Sequence, residues 1–564
     1  MSVHENFTII DWSIVFGYLL LTTWVGHAMR GKQGTIKDFF LGGRSLPWPA
    51  VSGSIIATEI SGVTFIGVPG TLFALHGDFT YLQWALGSII ARIVVARFFV
   101  KIYYERDIYS PYDYMGLRLG SRVKALATIF FTVGSILGQS VRVLVAAMPL
   151  KVVTGMDIQW CIIIIGVFAI GWTLMGGMRT VIWTDVMQFL LFLVGGFIAL
   201  FWLISSISGG WTGMIEAAQE FGRTRTVDPR FGIGPELQFT LWVALLAVPF
   251  QNLSIFGVDQ LMAQRMFCCK SAKDAGKAII YSSIGQLVTL LMLLIGAALF
   301  VNYHQNGFTD QEVATIFDVP SEKIQDFKEG VQYAEHPETE KRSSVPVPGS
   351  YEGKGNSGYI FPVWIVNALP AGLSGLILAG IFAAAISSLD SILAALSQTT
   401  LSLMYSPEKN NTSLSSKQLM NRSRLLVVLW GVALTGFTLL LSVAQNIPIL
   451  PLAFGMTTYT VGPMLGIFIC SILGKGSFRG LMIGSSISFF VVLFVRTDIW
   501  DLLIKSNMLK AEFFHFIPTF EVDELNNSLR SKVLFAWMWP LTFVITLLFG
   551  LISAKRENPL DESV

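Results

Sequence analysis

Runs of about 20 apolar residues, separated by short polar connections, recur from one end of this 564-residue chain to the other. A helix of that length crosses the hydrocarbon core of a bilayer. Windowed hydropathy places about 13 such spans, at 10–28, 48–76, 80–104, 123–154, 158–175, 178–207, 236–267, 276–304, 369–406, 421–443, 447–473, 477–496 and 533–554. Strands of a membrane barrel alternate polar and apolar positions, and these segments do not. The pattern therefore predicts an all-α membrane protein.

The basic residues give it a direction. Connections after odd-numbered spans hold Arg30, Lys32, Lys37 and Arg44, then Arg106, Arg118, Arg122 and Lys124, then Arg179, Lys270, Lys273, Lys409, Lys417, Lys475 and Arg479. Lys555 and Arg556 follow the last span. Connections after even-numbered spans are short or acid-rich. Basic loops stay in the cytoplasm, so the N-terminus is expected outside and the C-terminus inside. Two longer polar stretches, 305–358 and 497–532, then fall outside. Asp11 and a long apolar run follow the polar opening instead of a cleavable signal pattern, so the first span is expected to direct insertion.

Composition narrows the class. Hydrophobic residues make up 53% of the chain and charged residues 13%, about half the charge of a soluble domain. The formal net charge of +2 gives no field that would draw nucleic acid. Cys161, Cys268, Cys269 and Cys470 lie in or beside apolar segments and form neither a disulfide framework nor a metal motif. No P-loop is present, and about ten residues follow the last span, too few for an output domain. The six histidines are scattered mainly in loops, with no cluster suited to catalysis. The chain is expected not to be an enzyme.

The chemistry is expected from polar residues within spans. Residues 48–76 contain Gly53, Gly62, Gly67, Pro69 and Gly70 around the run Ala57-Thr58-Glu59-Ile60-Ser61. A carboxylate at that depth costs several kcal/mol unless it is paired or hydrated. Helix breakers beside it predict a discontinuous helix whose unwound carbonyls can hold a cation. In AAAISSLDSILAALS, Ala384, Ser387, Ser388 and Ser391 repeat at i, i+3, i+4, i+7 and share one helical face, with Asp390 beside it. Serine oxygens suit a hard cation, although small residues also serve close helix packing. Asp185, near the start of its span, reads either as an interfacial residue or as part of a second cation site or cytoplasmic exit path. Arg142, midway along an apolar span, must face a partner or a wet cavity. Its planar fork suits a substrate carboxylate, or it pairs with Glu59. Gln83 and Asn252 are further midspan polar residues, and Phe250 and Phe256 beside Asn252 are placed to close over a bound ring.

Five ordered strings carry a family resemblance: FFLGGRSLPW at 39–48, IATEISGVTFIGVPG at 56–70, GGMRTVIWTDVMQ at 176–188, GVDQLMAQR at 257–265 and ISSLDS at 386–391. Over about residues 10–490 the chain resembles the sodium/solute symporters, which include galactose, proline and sialic acid carriers. The resemblance implies a LeuT-type core of two inverted five-helix repeats, spans two to six and seven to eleven. It implies a sodium site from carbonyls of Ala57, Ile60 and Ala384 with hydroxyls of Ser387 and Ser388. Asp185, Ser388 and Ser391 match a second sodium site found in some members, where Asp390 replaces a serine. The substrate cavity would be lined by Glu59, Ser61, Thr64, Gln83, Arg142 and Asn252, a set similar to that of the sialic acid symporters, with Glu59 as the departure.

The expectation that follows is a sodium-coupled importer of a small polar solute, a sugar acid or related sugar, working by alternating access in the plasma (inner) membrane, and functional as a monomer. A neutral-sugar or polyol importer, or a proton-coupled carrier of the same fold, is the alternative. The expected organisation is an accessory helix and loop at 1–47, a transport core at 48–473 carrying the 305–358 insertion, and accessory helices at 474–564 carrying the 497–532 loop.

Overall fold

The computed structural model describes residues 3–553 apart from 30–40, 75, 106–107, 109, 175–177, 331–344, 349–354, 406–415, 443–448, 507 and 525–526. Of the loop cations that set the expected orientation, Arg30, Lys32, Lys37, Arg106, Lys409, Lys555 and Arg556 lie outside the described residues. So do Phe39, Phe40, Gly176 and Gly177 of the ordered strings, and the side chains of Lys417, Ala384 and Ser387.

Among the described residues, eight helices are long and apolar enough to cross a membrane, and three bent pairs bring the number to as many as 11. The other two predicted spans are also helical. One runs over 84–105 and carries a π-turn at Val95–Phe99. The other is the 16-residue helix Ile158–Thr173. Ends shift by a few residues: span eight is Ala272–Asn306 and span nine is Leu373–Met404.

The bent pairs organise the core. Span two consists of Trp48–Glu59 and Val63–Phe73 at 53° to each other, and span seven of Leu241–Gly257 and Gln260–Phe267, also at 53°. Each opens one five-helix repeat, as a LeuT-type core requires. The first half of span two packs on span six and its second half on span eight. A Cβ on Gly296 of span eight would sit 2.8 Å from the Pro69 carbonyl oxygen, so only glycine lets these backbones approach this closely. Span nine lies across spans one, four, five, six and ten, and spans eleven, twelve and thirteen pack together.

The described parts of the two polar stretches are folded. In the first, helices Asp310–Phe317 and Ile324–Gly330 bury Val313, Ile316, Phe317 and Phe327. A capping box starts the first helix: Thr309 N–H donates to Glu312 Oε2 at 2.9 Å and Glu312 N–H to Thr309 Oγ1 at 3.3 Å, while Tyr303 Oη donates to Glu312 Oε1 at 2.9 Å. Thr309→Ala is expected to cost about 1 kcal/mol locally, read as roughly fivefold faster amide exchange confined to 310–317. In the second stretch, helix Asp498–Lys505 and the hairpin Phe520–Asp523/Ser528–Ser531 enclose a small cluster of Ile504, Phe514, Ile517, Phe520 and Leu529.

Candidate functional site

The break in span two follows from local backbone bonding. Ile60, at φ −83° and ψ 86°, leaves the helix. The Ser61 N–H turns to the Glu59 carbonyl at 3.1 Å and the Thr64 N–H to the Ser61 carbonyl at 2.9 Å. The Ala57 and Ile60 carbonyls thereby lose their usual i+4 donors. Ser61 Oγ accepts from the Val63 N–H at 3.3 Å and starts the second half. The Thr58 carbonyl is taken by Arg142 Nη1 at 3.2 Å. Two carbonyl oxygens thus become available to a cation in a buried place, since Ala57 is 0% and Ile60 2% exposed.

On span nine, which packs against the first half of span two, Ser388 is fully buried and its Oγ has no hydrogen-bond partner among the described residues. A hydroxyl left this way costs about 1–3 kcal/mol, and its oxygen suits a hard cation as ligand.

Asp185, Asp390 and Ser391 come together around Arg265, a residue the sequence reading left without a role. Asp185 is fully buried within the protein. Its Oδ2 accepts from Arg265 Nη2 at 3.0 Å and from Ser54 Oγ at 2.5 Å. Arg265 also donates to Ser54 Oγ at 2.9 Å, the Leu261 carbonyl at 2.8 Å and Ser391 Oγ at 2.7 Å. Ser391 Oγ donates in turn to Asp390 Oδ1 at 3.1 Å. A guanidinium therefore already holds two of the side chains matched to a second sodium ion.

Span seven breaks by a different device. The Val258 and Asp259 N–H groups both turn to the Ser254 carbonyl at 2.8 Å. The Asp259 carboxylate caps the next half by accepting from the Leu261 N–H at 2.7 Å. The sequence reading did not mark this break, although a glycine two residues before an aspartate that can act as N-cap was a visible signal.

A cavity of about 140 Å³ opens beside both breaks. Of the predicted substrate residues, Glu59, Ser61, Thr64 and Arg142 line it. Gln83 and Asn252 are not on its wall. Gln83 Nε2 donates to the Phe239 carbonyl at 2.6 Å, while Asn252 bonds Ser88 Oγ at 3.1 Å and the Val248 carbonyl at 3.1 Å. Phe250 and Phe256 do not line it either: Phe250 packs on Phe543, and Phe256 lies under Arg92. Tyr81, Phe131 and Phe454 supply the aromatic wall instead. Ser135 and Gln139, two turns and one turn before Arg142 on span four, also reach the cavity, and Ser135 Oγ and Gln139 Oε1 have no hydrogen-bond partner among the described residues. Their i, i+4, i+7 spacing with Arg142 was readable in the chain.

The expected alternative in which Arg142 pairs with Glu59 is corrected. Glu59 Oε2 pairs with Arg92 Nη2, and its Oε1 accepts from Gln286 Nε2 at 3.0 Å. Arg142 forms no ion pair among the described residues. Its side chain lies on span four between the broken helices, beside the cavity and joined to Thr58.

Known proteins bear on this geometry. The family model for the sodium:solute symporter family matches residues 39–317 and 349–484. The sodium/sialic acid symporter of Proteus mirabilis (strain HI4320) is 28% identical over 506 residues, 88% of this chain and 91% of the relative. Human sodium-coupled monocarboxylate transporter 1 is 26% identical over 497 residues, 86% of this chain and 73% of the relative. A solved sodium-coupled sialic acid symporter, described as substrate-bound and outward-open, superposes with a TM-score of 0.75 at 23% identity over 97% of both chains. Two broken helices opening two repeats, a cavity between them and a family match over most of the chain lead to one conclusion: this protein belongs to the sodium:solute symporter family, a membrane carrier of LeuT-type fold whose coupling ion is sodium.

Proposed function

We propose that this chain imports a small organic acid, a sugar acid of the sialic acid kind or a close relative, together with sodium. The observation that carries the reading is Arg142, a guanidinium on the cavity wall with no carboxylate paired to it among the described residues. A cation in that setting is stabilised by an anionic solute, and its fork accepts a carboxylate in two parallel hydrogen bonds. The similar sialic acid and monocarboxylate carriers are named for acids, which supports the same choice. Neutral sugars lose one argument, since Glu59 is held by Arg92 and forms no ion pair with Arg142.

Sodium binds between the carbonyls of Ala57, Ile60 and Ala384 and the hydroxyls of Ser387 and Ser388, joining span two to span nine and favouring the form open to the outside. Substrate then enters the cavity, and the core rocks against its scaffold. The N-terminus lies outside and the C-terminus in the cytoplasm of the plasma (inner) membrane, so the membrane potential adds about 2.3 kcal/mol per charge per 100 mV to the inward drive. The working unit is a monomer, and the core at 48–473 carries the transport machinery between the accessory segments 1–47 and 474–564.

Uptake into proteoliposomes, with sodium replaced by choline at fixed pH, tests the coupling. Loss of uptake of an acidic sugar supports the proposal, and uptake that survives the exchange points to a proton-coupled carrier. Ser388→Ala is expected to raise the sodium concentration for half-maximal uptake about 3- to 10-fold, the worth of one oxygen ligand on the scale of a hydrogen bond. An unchanged sodium dependence would remove Ser388 from the site.

A further inference from the structure

Glu59 occupies an unusual position. It is the last residue of the first half of span two, its side chain is 24% exposed, and that exposure faces the cavity. The groups that hold it stand behind it. Arg92, from the span over 84–105, is 0% exposed and absent from the cavity wall. Its Nη2 pairs with Glu59 Oε2, its Nη1 donates to Ser282 Oγ at 2.6 Å, its Nε to Ser88 Oγ at 3.3 Å, and its fork lies 4.2 Å from the centre of the Phe256 ring. Gln286 Nε2 donates to Glu59 Oε1 at 3.0 Å. Arg92 thereby ties together spans two, three, seven and eight and holds the Glu59 carboxylate in place. A carboxylate accepts about four hydrogen bonds, and Arg92 and Gln286 use two. The remaining acceptor capacity is left to the cavity that Glu59 lines.

The same stretch of backbone fixes Arg142, whose Nη1 holds the carbonyl of Thr58, the residue before Glu59. The cavity wall thus carries the Arg142 guanidinium and two carboxylates, Glu59 and Asp259, of which Asp259 is engaged as the cap of the Leu261 N–H. We infer that Glu59, positioned by Arg92, selects acids that carry a hydrogen-bond donor, a hydroxyl or an ammonium, near the carboxylate, and rejects unsubstituted monocarboxylates. The inference rests on the reading that Arg142 takes the substrate carboxylate. Its physical basis is the asymmetry of polar recognition: a bound alkanoate strips water from Glu59 and returns no donor, whereas a hydroxy or amino acid replaces the lost hydrogen bond. Glu59 is the selecting residue, and Arg92, which does not reach the cavity, is a positioning residue.

The test is thermal stabilisation of the purified full chain in sodium by sialic acid and by three acids of equal carbon number, gluconate, 2-aminohexanoate and hexanoate, with glucitol as the neutral control. The expected result is that the best donor-bearing acid binds about 10- to 100-fold more tightly than hexanoate. The hydroxylated and amino arms show which donor is used. Glu59→Gln is expected to shrink that ratio several-fold. Because a single change leaves Arg92 charged and buried, the paired variant Glu59→Leu with Arg92→Met is measured beside it and is expected to bring the ratio close to one. Stabilisation by sodium alone reports that each variant is folded. Hexanoate binding as tightly as the other acids, or a ratio unmoved in both variants, overturns the role of Glu59 and leaves that of Arg142 standing. Binding of glucitol in preference to every acid, unaffected by Arg142→Gln, overturns the acidic-substrate reading itself.

Discussion

Arg265→Met is expected to lower the stability of the purified protein by about 3–5 kcal/mol, the usual cost of removing one partner from a buried ion pair. Arg265 is 0% exposed and spends its guanidinium on Ser54, the Leu261 carbonyl, Asp185 and Ser391. These groups come from spans two, seven, six and nine, so one side chain links helices from both repeats. Removing it takes the counter-charge from Asp185 and the linking donor from Ser391, whose own hydroxyl donates to Asp390. Thermal unfolding in detergent, with and without sodium, measures the loss. The double variant Arg265→Met with Asp185→Asn is expected to recover a large part of it, because no unpaired charge from that pair remains. Additive losses would mean that the two side chains act separately and that the 3.0 Å contact contributes little.

The cluster also explains which parts of the site could be read from the chain. Spans were legible because a membrane demands long apolar runs, and Glu59 and Arg142 stood out as charges near the middle of such runs. Arg92 did not, because it shares its span with Arg97 and Lys101 and reads as part of a basic cytoplasmic end. Arg265 was hidden in the same way, beside Lys270 and Lys273 at the polar end of span seven. The pairings themselves lay beyond any local rule. Helical spacing connects residues three or four apart, whereas Glu59 meets Arg92 across 33 positions, Asp185 meets Arg265 across 80 and Glu59 meets Gln286 across 227. Pairing Glu59 with Arg142 was the natural guess from two charges at similar depth. It fails because span three brings a second guanidinium to the back of Glu59, on the side away from the cavity. Gln83 and Asn252 are off the cavity wall: Gln83 donates to the Phe239 carbonyl in the turn before span seven, and Asn252 bonds Ser88 of span three, helix-linking uses that are common for amides inside a membrane bundle.

Arg142→Gln is expected to lower uptake of an acidic substrate by about two to three orders of magnitude at low concentration, since truncating one partner of a buried charge pair costs about 2–5 kcal/mol. Arg142→Lys should rescue little of this, because a point charge on a flexible stem does not reproduce a planar fork. The variant needs a second readout, for Arg142 also bonds the Thr58 carbonyl at the helix break. Thr58 follows Ala57, whose carbonyl is proposed to hold sodium. If Arg142 served only to shape the break, its loss would weaken sodium binding and substrate binding together. Sodium-induced thermal stabilisation measured without substrate separates the two cases. Sodium affinity close to that of the unaltered chain, combined with lost uptake of the acid, assigns Arg142 to the substrate carboxylate. Sodium affinity that falls in step with uptake makes Arg142 a brace for the broken helix. The anion would then have to be met by another donor on the wall, of which Gln139, one turn away on the same face of span four, is the nearest by sequence.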